Sequence, residues 1–204
     1  LEKNKCTYVA KGEGIETIRG LLCGDERVPG LYFRLGDKIV NYEDSKMVPQ
    51  GKLHHVYPYG KDAWELLDLT KYRTANWHSM TNDNVTQPFA SIYTSLGCPY
   101  KCTFCCINAP FEIKTLRYWE PNHIIEQLDY FHSLGIKNLK IADEMFVLNK
   151  NHFMKLCELI IDRGYDFNIW AYARVDTVKE KYLDTLKRAG VNWLALGIES
   201  GNRK

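Results

Sequence analysis

The 204 residues are 45% hydrophobic and 25% charged, with a formal net charge of +2 at pH 7, the balance of a soluble globular chain with room for one ordinary domain or two small ones. So slight a charge excludes the strong field with which proteins gather nucleic acid or an anionic membrane, and neither partner is expected. The longest apolar runs, such as Leu159 to Ile161, are far too short to span a bilayer, and no charged-then-apolar segment at the N-terminus reads as a secretion signal.

In chain order, Tyr8-Val9-Ala10 reads as the end of a strand, and Gly12-Glu13-Gly14 as a turn into a helix carrying Ile15, Ile18, Leu21 and Leu22. Leu31 to Arg34 and Lys38 to Asn41 read as a hairpin around Gly36-Asp37. Residues 42 to 88 are polar and loop-like, broken only by a short helix around Trp64, Leu66, Leu67 and Leu69. From Phe89 the pattern becomes a regular alternation. Phe89 to Tyr93 is rich in residues that suit a pleated surface. Pro121 opens a helix with Ile124, Ile125, Leu128, Phe131 and Leu134 on one side, stopped by Gly135. Leu139 to Ala142 is a second strand, and Phe153, Leu156, Cys157, Ile160 and Ile161 mark a helix ending at Gly164. Phe167 to Tyr172 is a third strand, followed by a helix marked by Tyr182, Leu183, Leu186 and Ala189 and closed by Gly190. Trp193 to Ile198, almost continuously apolar, reads as a fourth strand covered on both faces. Units of this length predict an α/β fold on a parallel sheet with right-handed crossovers. The chain starts on what reads as the last strand of a unit and stops at Gly201-Asn202, where a helix is due. It therefore reads as part of a longer protein, with an open sheet edge at the fourth strand.

Seven cysteines are unevenly placed: Cys98, Cys102, Cys105 and Cys106 crowd together, while Cys6, Cys23 and Cys157 stand alone. This is not the dense framework of a disulfide-stapled secreted domain, and a reducing cytoplasm is expected. Cys157, on a helix face, reads as a small buried hydrophobe. The crowded set lies in Gly97-Cys98-Pro99-Tyr100-Lys101-Cys102-Thr103-Phe104-Cys105, just past a strand. Soft thiolates select zinc or iron–sulfur centres. Structural zinc takes four ligands, and an ordinary electron-transfer cluster normally takes four cysteines. Cys106 is a poor fourth ligand beside Cys105, because adjacent side chains diverge, and no histidine lies nearer than His123. Three thiolates and one open position point to an iron that meets a substrate, with zinc or inert thiols as the alternative.

Cys98-x3-Cys102-x2-Cys105 directly after a strand, with Phe104 before the last cysteine, resembles the signature of radical S-adenosylmethionine (SAM) enzymes. The resemblance extends over about residues 89 to 204. It takes in Ala142-Asp143-Glu144-Met145-Phe146 after the second strand, Ala173-Arg174-Val175-Asp176 after the third, and Gly197-Ile198-Glu199-Ser200-Gly201 at the end of the fourth. It implies a partial (β/α)6 barrel, of which this chain supplies the first four strands. It also implies a [4Fe-4S] cluster held by Cys98, Cys102 and Cys105, used to cleave SAM reductively to a 5′-deoxyadenosyl radical. Glu144 then matches the acid that holds the SAM amino group, while Arg174, Glu199 and Ser200 match segments that meet its carboxylate and ribose. All follow strand ends, where ligands bind in parallel α/β architectures. A low-potential donor such as flavodoxin or ferredoxin is implied, acting toward a small-molecule or peptide substrate that the sequence leaves open. Plainer readings stand beside these. Glu144 is then a solvated acid, Arg174 pairs with Asp176 or Glu199, and Glu199 and Ser200 cap a following helix. Phe104 is then mere packing, His54-His55 is exposed, and Trp77, Trp119 and Trp170 are packing residues first.

Upstream, Gly12-Glu13-Gly14-x-Glu16-Thr17, Pro29-Gly30-Leu31-Tyr32-Phe33-Arg34 and Trp64-Glu65-Leu66-Leu67-Asp68-Leu69 resemble, in order, the tail of a cobalamin-binding Rossmann-like domain and its linker. Such a tail precedes the barrel in cobalamin-associated radical SAM proteins. The organisation implied is residues 1–45 as the remnant of that domain, 46–88 as linker and 89–204 as the N-terminal part of the radical SAM domain. Residues 7 to 22 are expected as an orphan strand and helix, and the parent as a cobalamin-dependent methyltransferase or an enzyme of related radical chemistry. A methylthio-group transferase is the runner-up, although Cys6 and Cys23 make a poor second cluster site. A non-catalytic iron–sulfur or zinc module is the reading from another class.

Overall fold

The computed structural model describes residues 6–57, 60–73, 88–107 and 114–202. The expected packing role of Trp77 falls outside these. The chain divides into two compact units, residues 1–58 with 98–115, and residues 59–97 with 116–204.

The first unit carries a three-stranded antiparallel sheet in the order β1-β2-β3, formed by β1 (Tyr8–Ala10), β2 (Leu31–Leu35) and β3 (Lys38–Val40). The hairpin falls where the Gly36-Asp37 turn places it. The strand expected to be an orphan is paired instead, Tyr8 with Phe33, Val9 with Tyr32 and Ala10 with Leu31. A backbone left unpaired costs free energy, and β2 satisfies it. Helix α1 (Ile15–Leu22) follows the Gly12–Gly14 turn, with Gly14 in the left-handed region. Val28, Leu31 and Phe33 make a small core with Leu21 and Val40 against it. Gly30 is obligatory there: its φ is 79°, and a Cβ would lie 2.7 Å from Ser45 and 2.8 Å from the Lys11 carbonyl. Ile15, Ile18 and Leu22 of α1 remain exposed. A 3-10 turn, Gln50–Lys52, leads into the short α2 (Leu53–Val56), where His54 and His55 are exposed, as their plainer reading has it.

The second unit is built on a parallel sheet in the order β4-β7-β8-β9, made by β4 (Phe89–Ile92), β7 (Asn138–Ile141), β8 (Asn168–Arg174) and β9 (Val191–Gly197). Side chains alternate across a strand. Ala90, Ile92, Leu139, Ile141, Ile169, Ala171 and Ala173 on one face are all buried. Helices α4 (Pro121–Ser133), α5 (Lys150–Arg163) and α6 (Glu180–Arg188) alternate with these strands. Pro121 sits in the first turn of α4, where its missing N–H costs nothing. α4 buries Ile124, Ile125, Leu128 and Phe131, and α5 buries Phe153, Leu156, Cys157 and Ile160. Each such aliphatic or aromatic side chain contributes about 1.5–3 kcal/mol on burial. The reading of Cys157 as a buried hydrophobe holds, and burial pushes its thiol up to about 12. Asn149 caps α5, its side chain accepting from the N–H groups of Asn151 and His152. The partial barrel expected from the sequence is present as four parallel strands.

Two local expectations need correction. The fourth strand is not covered on both faces: Trp193 and Leu196 are exposed, because β9 is the edge of the sheet. The helix around Trp64 to Leu69 is only α3 (Lys61–Trp64), with Leu66 and Leu67 exposed and Leu69 buried in a separate 3-10 turn, Leu69–Lys71. A further element was not foreseen: β5 (Ser95–Leu96) pairs antiparallel with β6 (Arg117–Tyr118).

Candidate functional site

The cysteine loop, from Cys98 on, belongs to the first unit, and Gly97, the residue before it in the chain, has a φ of 92°. Cys98 is buried, while Cys102, Cys105 and Cys106 are exposed. The Cys105 N–H donates to the Cys102 carbonyl at 3.2 Å, so a tight bend separates these two thiols. Phe104, inside that bend, is 71% exposed. Among the described residues no three His, Cys, Asp or Glu side chains are gathered as a metal site. The donors fit an iron–sulfur centre by their chemistry and by sharing one loop.

In the second unit, the ends of β7, β8 and β9 carry the other candidates. Glu144 follows β7 and is half-buried, and its Oε2 is enclosed with no hydrogen-bond partner. Burial holds its carboxyl above the usual range, and the Asp143 charge adds to this; hydrogen bonds from its own backbone N–H and that of Gly97 oppose it. An enclosed, unsatisfied carboxylate oxygen is the feature an ammonium group would complete. Arg174, at the end of β8, is held by Asp176: its Nε and Nη2 donate to the two carboxylate oxygens, each at 2.8 Å. This is the plain pairing weighed for it, and it draws the Asp176 carboxyl below its ordinary value. Glu199 and Ser200, past β9, are exposed. Glu199 has a φ of 60°, an uncommon backbone for a residue with a Cβ. Ser200 Oγ accepts from the Asn202 N–H at 3.1 Å, a cap-like bond.

Sequence reading missed a buried cluster next to Glu144. Asp143 is 1% exposed. Its Oδ1 accepts from the Thr94 N–H at 2.6 Å and its Oδ2 from Ser95 Oγ at 2.6 Å, with the Thr94 hydroxyl also donating to Oδ2. The Thr94 hydroxyl lies 3.4 Å from His152 Nε2 on α5, and the His152 ring packs 4.7 Å from that of Tyr118. Among the described residues no cation pairs with Asp143, and burial raises its carboxyl while the hydroxyl and backbone donors resist. The signal was legible as Thr94-Ser95 just before the cysteine loop and Asp143 beside Glu144, but nothing in a sequence pairs residues 49 apart. On the other face of the sheet, Lys140 places its ammonium 5.1 Å from the ring centroids of both Trp170 and Tyr172.

The sequence profile of the Radical SAM superfamily matches residues 92–204. The chain is 29% identical over 201 residues to an uncharacterized methyltransferase of Pyrococcus horikoshii, covering 95% of this chain and 40% of that one. It is 30% identical over 206 residues to a putative methylthiotransferase of Methanocaldococcus jannaschii, covering 96% and 40%. With an anaerobic magnesium-protoporphyrin IX monomethyl ester cyclase of Synechocystis it shares 26% over 204 residues, covering 96% and 38%. A solved structure of similar fold is the radical SAM methyltransferase TsrM from Kitasatospora setae, with cobalamin and a [4Fe-4S] cluster bound. Its TM-score is 0.62 at 20% identity, over 94% of this chain and 38% of that one. The chain thus spans about two fifths of the length of the curated relatives it matches. With the cysteine motif, the parallel strands and a profile match over more than half its residues, the chain belongs to the radical SAM superfamily.

Proposed function

We propose that this chain is the part of a radical SAM enzyme that holds a [4Fe-4S] cluster through Cys98, Cys102 and Cys105 and receives SAM at the strand ends. The observation that carries the reading is the three-thiolate motif on one loop beyond the first strand of a parallel sheet, within a region that matches the superfamily. When bound, a low-potential cluster supplies the electron for breaking a carbon–sulfur bond of SAM. The chain's own residues bind and orient. Glu144 offers its enclosed Oε2 to the SAM ammonium. Arg174, Glu199 and Ser200 lie at the neighbouring strand ends for its carboxylate and ribose, with Arg174 shared with Asp176. Phe104 shields the cluster. For the whole protein the reading is cobalamin-dependent methyl transfer, supported by the methyltransferase names among its relatives and by the fold shared with a cobalamin-bound enzyme. The 30% likeness to a putative methylthiotransferase keeps sulfur insertion as a second reading. A low-potential flavodoxin or ferredoxin as electron donor and a cytoplasmic location complete the proposal. Among the described residues no helix is long and apolar enough to cross a membrane.

Anaerobic reconstitution with iron and sulfide, followed by SAM, tests this. An open cluster changes its electron paramagnetic resonance spectrum when SAM is added. A closed four-thiolate centre, or zinc, leaves it unchanged and ends the proposal.

A further inference from the structure

We infer that Asp143 is a positioning residue for SAM, acting through Glu144; the inference rests on the function proposed above. A buried carboxylate without a cation is costly, and an apolar residue would pack there more cheaply. Asp143 is retained in a fully buried site by the hydroxyls and backbone N–H groups of one dipeptide, Thr94-Ser95. That dipeptide leads to Gly97, whose N–H meets the Glu144 carboxylate. The segment around Glu144 is tied on both sides as well: the Ala142 N–H donates to the Ile92 carbonyl at 2.8 Å, and the Phe146 N–H to the Tyr172 carbonyl at 3.1 Å. Those backbone bonds fix where residues 142–146 run. They do not fix how the Glu144 carboxylate faces. Asp143 does so by holding the exit of β4 against the end of β7, so that Glu144 keeps one oxygen toward Gly97 and the other enclosed and open to a ligand. Thr94 passes the restraint to His152 and so to the cap of α5.

The test is a double-mutant cycle in the full-length protein, reconstituted anaerobically. The variants are Asp143→Asn, Glu144→Gln and the pair, each read for iron content, melting temperature and SAM dissociation constant by spectral titration. Asp143→Asn is expected to keep its iron and weaken SAM about tenfold, while adding little to the loss in Glu144→Gln, because a residue that works through another has nothing left to position. Equal weakening by Asp143→Asn in both backgrounds overturns the inference, since Asp143 then acts independently. Unchanged SAM binding in Asp143→Asn, with Glu144→Gln impaired, overturns it while leaving the role of Glu144 intact. Unchanged binding in Glu144→Gln removes that role and this inference with it, while retained iron still leaves the cluster in place. Should Asp143→Asn fail to fold, Ser95→Ala removes one hydroxyl donor to Asp143 and leaves the others. It is expected to weaken SAM about threefold with iron unchanged, again only when Glu144 is present; weakening in both backgrounds overturns the inference.

Discussion

At the scale of single residues, the chemistry divides between the proposed cluster ligands and side chains buried in the fold. Cys98, Cys102 and Cys105 are of the first kind. Substituting any of them by Ala is expected to abolish cluster iron after reconstitution, whereas Cys106→Ala retains it. Iron loss in Cys106→Ala as complete as in Cys102→Ala would refute the three-ligand assignment. His152 is of the second kind. Its imidazole is buried, and burial depresses its pKa to about 4. A group whose folded value is lowered contributes stability that is whole above its unfolded value, near 6.5, and lost as pH falls through the folded one. Asp143 and Glu144, with raised carboxyls, run the other way: their contribution is present at low pH and lost as pH rises. The native protein should therefore lose up to about 3 kcal/mol relative to His152→Gln between pH 6.5 and 4, read from urea unfolding at a series of pH values. A native-minus-variant difference that is flat across that window would mean His152 titrates as in the unfolded chain.

Elements are held by contacts that sequence periodicity does not announce. At the N-terminal ends of the parallel strands an asparagine ladder runs across the sheet. Asn168 Nδ2 donates to Asn138 Oδ1 at 3.0 Å, Asn192 Nδ2 to Asn168 Oδ1 at 2.9 Å, and Lys187 Nζ to Asn192 Oδ1 at 2.7 Å. Asn138 is almost fully buried, so an unmade bond there leaves a desolvated amide. Asn168→Ala is expected to cost about 1–3 kcal/mol, seen as a lower urea midpoint with an unchanged slope. A loss below a few tenths would show that the ladder is solvated. Leu156 of α5, fully buried, should cost about 2–5 kcal/mol on change to Ala, because the cavity collapses only in part. Gly190 closes the unit after α6: its φ is 86°, and a Cβ would meet the Phe167 carbonyl at 2.3 Å.

At the scale of the whole molecule, the cobalamin-dependent reaction proposed above is to be tested on the full-length protein. The three-stranded sheet with α1 keeps Ile15, Ile18 and Leu22 exposed, and the resemblance of residues 1–45 to the tail of a cobalamin-binding domain leads to the cobalamin proposal. The full-length protein purified from a cobalamin-supplemented host is expected to show corrin absorption in addition to the iron–sulfur shoulder. A protein that stays corrin-free under those conditions yet cleaves SAM would end the cobalamin proposal and leave the radical SAM one standing.

The sequence by itself determined the alternation of strands and helices from Phe89 onward, since a helix that buries Ile124, Leu128 and Phe131 must repeat them at its own period. It also determined the three-cysteine motif, because ligands on one short loop are neighbours whatever the rest of the chain does. The tertiary structure decided what depends on distance along the chain. It paired Tyr8-Val9-Ala10 with β2 where an orphan strand was expected. It exposed β9, because burial of a strand is set by its neighbours in the sheet and not by its own apolar content. It gave Arg174 to Asp176, a choice that two rival acids left open. And it set Asp143 on Thr94 and Ser95, since a buried carboxylate finds its donors only when two strands, far apart in sequence, come to lie side by side.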